Sequence, residues 1–229
     1  MQITYIHHSS FLVETELSWL LFDYFEGELP PIGKDKPLYV FSSHRHADHF
    51  SPVIFTKFGD YPQVCFILSS DISPKKVPED LLGKTHFMKK GEKMEFGTLQ
   101  VETLRSTDEG VAFLVREEER TIYHAGDLNN WFWKGEDKGW NAQMEKNYRK
   151  EIAKLPDTLE VAFVPVDPRL EEAYDLGARE LLENREITYL FPMHFWKDFS
   201  VCKRLQATLG SSSCTVMQIE HTQQNWRLP

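Results

Sequence analysis

Short apolar, β-rich runs open the chain at residues 2–6, 11–14 and 19–24, separated by Ser, Thr and Glu. That pattern predicts three strands of an antiparallel meander. Residues 38–42 (LYVFS) and 64–68 (VCFIL) are apolar without a break, as buried strands are. Between them, Ser51 followed by Pro52 reads as an N-cap with proline at the first helical position, giving a short helix to about Phe58. Residues 94–104, 111–115 and 121–124 predict a second meander, with a turn at 117–120. A polar helix follows over 140–155 and closes before Pro156. Residues 161–166 (VAFVPV) predict a strand. Residues 171–184 predict an amphipathic helix, with Ala173, Leu176, Leu181 and Leu182 at helical spacing. A strand at 189–191 runs into Pro192-Met193-His194, Asp198 is placed to cap a last helix, and 215–219 predict the last strand.

The order is meander, strand–helix units, meander, strand–helix units. Two sheets with helices on their outer faces satisfy it, an α/β architecture. The length of 229 residues suits one good-sized domain, 1–229, and is short for two full ones. No internal repeat is visible by sequence identity. Residues 129–140 (NNWFWKGEDKGW) are aromatic and turn-rich and read as a long loop.

Charge narrows the function classes. The formal net charge of -9, with no long Lys/Arg run, opposes nucleic-acid binding, which rests on neutralising phosphates. The most basic stretch, residues 84–93, also holds Glu92 and reads as a solvated loop or strand edge. Cys65, Cys202 and Cys214 are an odd set with no CxxC spacing, which argues against a disulfide framework or a thiolate zinc site. The opening MQITYIHHSS lacks the basic and apolar segments of a signal peptide, and no apolar run approaches the ~20 residues of a membrane span. The expectation is a soluble cytoplasmic protein.

The chemistry concentrates in His44-Arg45-His46-Ala47-Asp48-His49, directly after the buried strand 38–42. Neutral imidazole is the commonest metal ligand. His44 and His46 are two apart, so extended backbone points both the same way. Asp48 and His49 fall where the chain turns toward a helix and can face the same point from another side. A lone imidazole in such a run is often a solvated turn residue; three with a carboxylate suit Zn²⁺, Mn²⁺ or Fe. Asp127 ends the strand TIYHAG and His194 ends YLFPM. Singly, such residues are more often caps or surface groups. Their weight lies in the shared position at strand C-terminal ends, where sheets with helical crossovers build sites.

The run HRHADH resembles the HxHxDH signature of the metallo-β-lactamase superfamily. TIYHAGD resembles that family's later Asp motif, and PMHF its last His motif. The opening ITYIHHSSFLVE with LLFDY is similar to the branch of ascorbate-phosphate lactonase-like and N-acyl-phosphatidylethanolamine phospholipase D-like proteins. The resemblance implies a four-layer αββα sandwich with two metal sites: His44 and His46 in the first, Asp48, His49 and His194 in the second, Asp127 bridging. It also implies that Asp48 orients the attacking water. Two divalent ions held ~3.5–4 Å apart can acidify a shared water and clamp attacking and leaving oxygens.

One departure stands out. The family supplies a third His to the first site some residues before the bridging Asp, but residues 104–110 read LRSTDEG, and His86 lies too early. Asp108 and His8 are the candidate replacement ligands; a buried structural role weighs equally for His8. His7 should point the opposite way, His124 is at most an outer partner of Asp127, and His221 reads as a surface residue. Trp131, Phe132 and Trp133 after Asp127, with Phe195 and Trp196, are either core or a rim over the pocket. Arg169 in VDPRL either holds an anionic substrate group or pairs on the surface with Glu171 or Glu172.

The expected function is a metal-dependent hydrolase that uses one or two divalent ions to cleave an ester, lactone, amide or phosphodiester of a small-molecule substrate. The alternative is a non-catalytic metal-binding or sensing protein that keeps part of the centre. Nuclease and β-lactam chemistry fit less well, the first for charge and the second for lack of a secretory leader.

Overall fold

The opening runs form β1 (Gln2–His7), β2 (Ser10–Glu14) and β3 (Trp19–Phe22), paired antiparallel in sequence order. Thr15 turns β2 into β3: its hydroxyl accepts from the backbone N–H groups of Leu17 and Ser18. β4 (Leu38–Ser42), β5 (Val64–Ser69) and β6 (Thr85–Met88) then add in parallel to β3, and a C-terminal strand, β14 (Asn225–Arg227), closes the other side against β1. In this computed structural model, which describes residues 1–210 and 213–229, these strands make a sheet of order β14-β1-β2-β3-β4-β5-β6. They belong to a first compact unit, Met1–Lys89 with His221–Pro229.

Helix α1 (Val53–Phe58) connects β4 to β5 and lays Ile54, Phe55 and Phe58 into a core with Leu38, Val40, Phe66 and Leu68. Truncating a ring as buried as Phe66 costs about 3–5 kcal/mol. The expected cap shifts by one position. Pro52 stands before the first hydrogen-bonded residue, and the Ser51 hydroxyl reaches the Val53 N–H at only 3.4 Å.

The second unit, Lys90–Glu220, repeats the plan. β7 (Lys93–Phe96), β8 (Leu99–Arg105), β9 (Val111–Glu117) and β10 (Arg120–His124) form the antiparallel half. β11 (Thr158–Pro165), β12 (Glu186–Met193) and β13 (Thr215–Val216) continue in parallel. Helices α2 (Lys138–Ile152), α3 (Leu176–Asn184) and α4 (Ser200–Leu209) precede β11, β12 and β13 respectively. Asp137 caps α2 by accepting from the Trp140 N–H at 2.9 Å. The Asp198 carboxylate takes the Ser200 N–H at 3.2 Å at the head of α4.

Three expectations need correction. The helix expected over 171–184 is a 3-10 turn, Pro168–Ala173, followed by α3; Glu171 at φ 54° breaks the run. Residues 94–104 are two strands, because Gly97 at φ 60° turns the chain. The strand expected at 215–219 ends at Val216, and β14 follows it.

Topology aims the chemistry. β1, β3 and β4 run the same way in the first sheet, so their C-terminal ends share one edge. β10, β11 and β12 do the same in the second.

Candidate metal centre

In the first unit, the end of β4 delivers His44 to His49, the end of β1 delivers His8, and the end of β3 delivers Asp23. A bulge between Tyr5 and His7 in the β1–β2 register turns the two histidines apart. His8 is fully buried at φ 54°, while His7 sits 3.7 Å from Glu26. The ligand atoms of His8, Asp48 and His49 lie within 4.8 Å of one another.

Asp23 organises this half, and the sequence reading missed it. Its buried carboxylate accepts from the Ser43 N–H and the Ser43 hydroxyl, both at 2.7 Å, and stands 2.7 Å from His49 Nδ1. A carboxylate only accepts, so His49 carries its proton on Nδ1 and its lone pair on Nε2. The one hydroxyl proton of Ser43 goes to Asp23, so Ser43 Oγ accepts from His44 Nδ1 at 3.0 Å. His44 therefore also presents Nε2, which lies 3.0 Å from His46 Nδ1. One buried carboxylate sets the tautomers of two histidines.

Asp48 is half-buried, with Oδ2 3.5 Å from His8 Nε2. Burial alone would raise its pKa. The His8 hydrogen bond and the charge of His49 outweigh burial and hold the carboxyl below the usual range, so Asp48 is an anion at neutral pH.

In the second unit, the end of β10 delivers Asp127 through Gly126, whose φ of 52° suits glycine. His124 supports this turn: its Nδ1 accepts from the Gly126 N–H at 3.2 Å. Trp131 donates its indole N–H to the Asp127 carbonyl at 2.9 Å and sets its ring edge-on to His194 at 5.3 Å. The Thr107 hydroxyl ties the same segment by bonding Asn129 at 2.6 Å. His194, at the end of β12 with φ 67°, stands with Nδ1 2.9 Å from Asp167 and Nε2 3.4 Å from Asp127 Oδ1. Asp167, at the end of β11, is the second orienting carboxylate missed by the sequence reading.

These donor sets fit a metal. Ligands about 2.0–2.1 Å from one tetrahedral ion sit roughly 3.3 Å apart. The His44–His46, His8–Asp48 and His194–Asp127 pairs, at 3.0, 3.5 and 3.4 Å, have that spacing within their own units. Metal-binding histidines commonly hold their second nitrogen against a carboxylate, as His49 and His194 do here.

Of the two replacement ligands considered, His8 joins Asp48 and His49, the set assigned to the second ion rather than the first. Asp108 lies exposed on the turn after β8, with its N–H on the Ser106 hydroxyl. Trp131 is buried, Trp133 is half-buried and stacked on it, and Trp196 is 40% exposed. Arg169 forks onto Asp167, while Lys134 is the cation beside Glu171 and Glu172.

Residues 2–134 match the family model described as the beta-lactamase superfamily domain. A metal-dependent hydrolase of Pyrobaculum islandicum is 26% identical over 215 residues, covering 85% of this chain and 84% of its own. A novel metallo hydrolase from the hyperthermophilic archaeon Ignicoccus hospitalis superposes with TM-score 0.64 at 17% identity, covering 100% of this chain and 99% of that one. A diiron β-hydroxylase from Streptomyces venezuelae superposes with TM-score 0.65 at 13% identity, covering 99% of this chain and 54% of that one. These likenesses show the metallo-β-lactamase fold.

Proposed function

The chain belongs to the beta-lactamase superfamily and is a metal-dependent hydrolase, and we propose that His44, His46 and Asp127 hold one ion while Asp48, His49 and His194 hold a second, with His8 beside the second and Asp127 bridging. The observation that supports this reading is the orientation of the imidazoles. His49 and His194 each give Nδ1 to a buried aspartate, and His44 gives its Nδ1 to a serine held by one, so each presents Nε2.

Divalent cations held there, zinc first and manganese or iron after it, would polarise a substrate oxygen and acidify water. The rest falls to the chain's own residues. Asp48, kept anionic by His8 and His49, is the acceptor that holds and orients an attacking water. Asp23 and Asp167 keep the imidazoles in the one tautomer that leaves Nε2 as a donor of electrons. Trp133 and Trp196 supply an apolar rim for a small-molecule substrate. The bond cleaved is an ester, lactone, amide or phosphodiester, the lactone and phosphodiester being those suggested by the branch that the N-terminal motif resembles.

The test is elemental analysis of the anaerobically purified full chain, with turnover measured on a panel of those bonds. Bound metal with turnover supports the proposal. A chain that stays metal-free and inactive after addition of zinc, manganese or iron overturns it. The second reading, a metal-binding or sensing protein without turnover, draws on residues 104–110, which contain no histidine. Full metal uptake with no turnover across the panel favours that reading.

A further inference from the structure

Arg169 does more than balance charge. The Asp167 carboxylate is buried, and an isolated charge there is costly. Around it, the Arg169 backbone N–H donates to Oδ1 at 2.9 Å. Arg169 Nε donates to Oδ1 at 3.0 Å and Oδ2 at 2.9 Å, and one Nη donates to Oδ2 at 2.5 Å. The same Oδ2 faces His194 Nδ1 at 2.9 Å. Burial would raise the pKa of this carboxyl; the bonds from His194 and Arg169 outweigh it and hold the value at about 2. The guanidinium itself is half-exposed and lies 6.0 Å from the Trp133 ring centre, which limits its sweep.

We propose that Arg169 is a positioning residue: by forking onto Asp167 it keeps that carboxylate aimed at His194 Nδ1, and so presents His194 Nε2 to a divalent cation. This rests on the metal reading above and deepens it. A planar fork matches both carboxylate oxygens at once, which a lysine cannot do. Contacts to both oxygens oppose rotation of the carboxylate about its own bond. The first unit achieves the same end differently, with the backbone and hydroxyl of Ser43 holding Asp23.

The experiment is zinc titration of metal-stripped full-length wild type, Arg169→Gln, Arg169→Lys and Asp167→Asn. Melting temperatures are taken in chelator, and histidine tautomers are read from nitrogen chemical shifts of 15N-histidine-labelled protein. Loss of an outer partner typically weakens metal binding about 10–100-fold. Asp167→Asn should reach that range, Arg169→Gln should fall several-fold, and Arg169→Lys should recover part of the loss. In Arg169→Gln the His194 signal should move from the pure Nδ1–H tautomer toward a mixture, beside some fall in the metal-free melting temperature. Wild-type zinc affinity and tautomer in Arg169→Gln would overturn the inference alone. A wild-type chain that binds no zinc would overturn the metal reading and the inference with it. A purely structural Arg169 would lower the melting temperature without moving the tautomer, which also counts against the proposal.

Discussion

Gly177→Ala should destabilise the protein although helix propensity predicts the reverse. Gly177 lies in the first turn of α3, where alanine is favoured over glycine by about 1 kcal/mol. An added Cβ at this position would overlap Asn129 Oδ1 outright and come within 3.1 Å of Asn129 Cγ and of the Asn130 nitrogen. Asn129 is buried and its main chain is pinned, the backbone N–H donating to the Thr107 hydroxyl at 3.0 Å and the backbone carbonyl accepting from it at 2.6 Å, so the backbone atoms beside the added Cβ cannot draw back cheaply. Overpacking of this kind costs about 1–3 kcal/mol and more where backbone must move. The 1.9 Å approach puts this clash at the upper end of that range, and after the propensity gain is subtracted the net loss is roughly 2 kcal/mol, or about 4–8 °C of melting temperature for a chain of this size. Because Asn129 is two residues from Asp127, zinc uptake should fall as well. Gly83→Ala is the control, since nothing lies within 4 Å of a Cβ there. Calorimetry with parallel zinc titration reads both effects. A Gly177→Ala chain that melts at or above wild type would refute the reasoning.

His49→Ala and His194→Ala should each lose most bound metal, as elemental analysis of the purified variants will show; unchanged metal content in both would reject the ligand assignment. Asp48→Ala should abolish turnover while shifting the melting temperature little, because a carboxylate that orients water acts on the transition state; turnover equal to wild type would remove Asp48 from the chemistry. For Asp167 the folded pKa of about 2 lies below the ordinary aspartate value of 3.8, so its contribution to stability is present above pH 4 and is lost as pH falls toward 2. That contribution, on the order of 2 kcal/mol, should appear as a pH-dependent gap between metal-free wild type and Asp167→Asn in denaturant titrations, closing in that window. A gap that does not change with pH would contradict it.

The strands were legible wherever the apolar pattern decides, as in the unbroken run Leu38–Ser42, which forms as expected. The histidine run was legible because ligand types crowd into six positions. What escaped was set by tertiary pairing. β6 lies inside the basic stretch 84–93, and its strand character comes from pairing with β5 rather than from alternation. β14 is three residues with no apolar signal except Trp226, held by β1. The repeated plan of the two units is visible in strand order and absent from sequence identity. Asp23 and Asp167 were missed for another reason. A lone aspartate after a strand has no local signature, and each gains its meaning from a histidine 26 or 27 positions away. All they share with Asp127 is a place within three residues of a strand's C-terminal end, which is too common to single them out.

Backbone conformation links these residues more closely than sequence does. His8 at φ 54°, Asp23 at 45° and His194 at 67° are all non-glycine residues in the left-handed region, and Asp127 follows Gly126 at 52°. Each non-glycine case costs of order 1–2 kcal/mol relative to ordinary backbone. An extended strand alternates its side chains between two faces and cannot turn one along the strand axis. A left-handed residue at the strand's end breaks that alternation and points its side chain past the sheet edge. The cost is therefore tied to the direction the chemistry requires. At His8 and His194 the left-handed residue carries the imidazole itself, and at Asp23 it carries the carboxylate that orients two others. Glycine at any of these positions would relieve the strain and remove the group for which the strain is held. Glu118, Glu171, Trp196 and Gln223 share this conformation away from that role; at His8, Asp23 and His194 it falls on site residues at strand ends, where hydrophobic periodicity stops and sequence pattern is least informative.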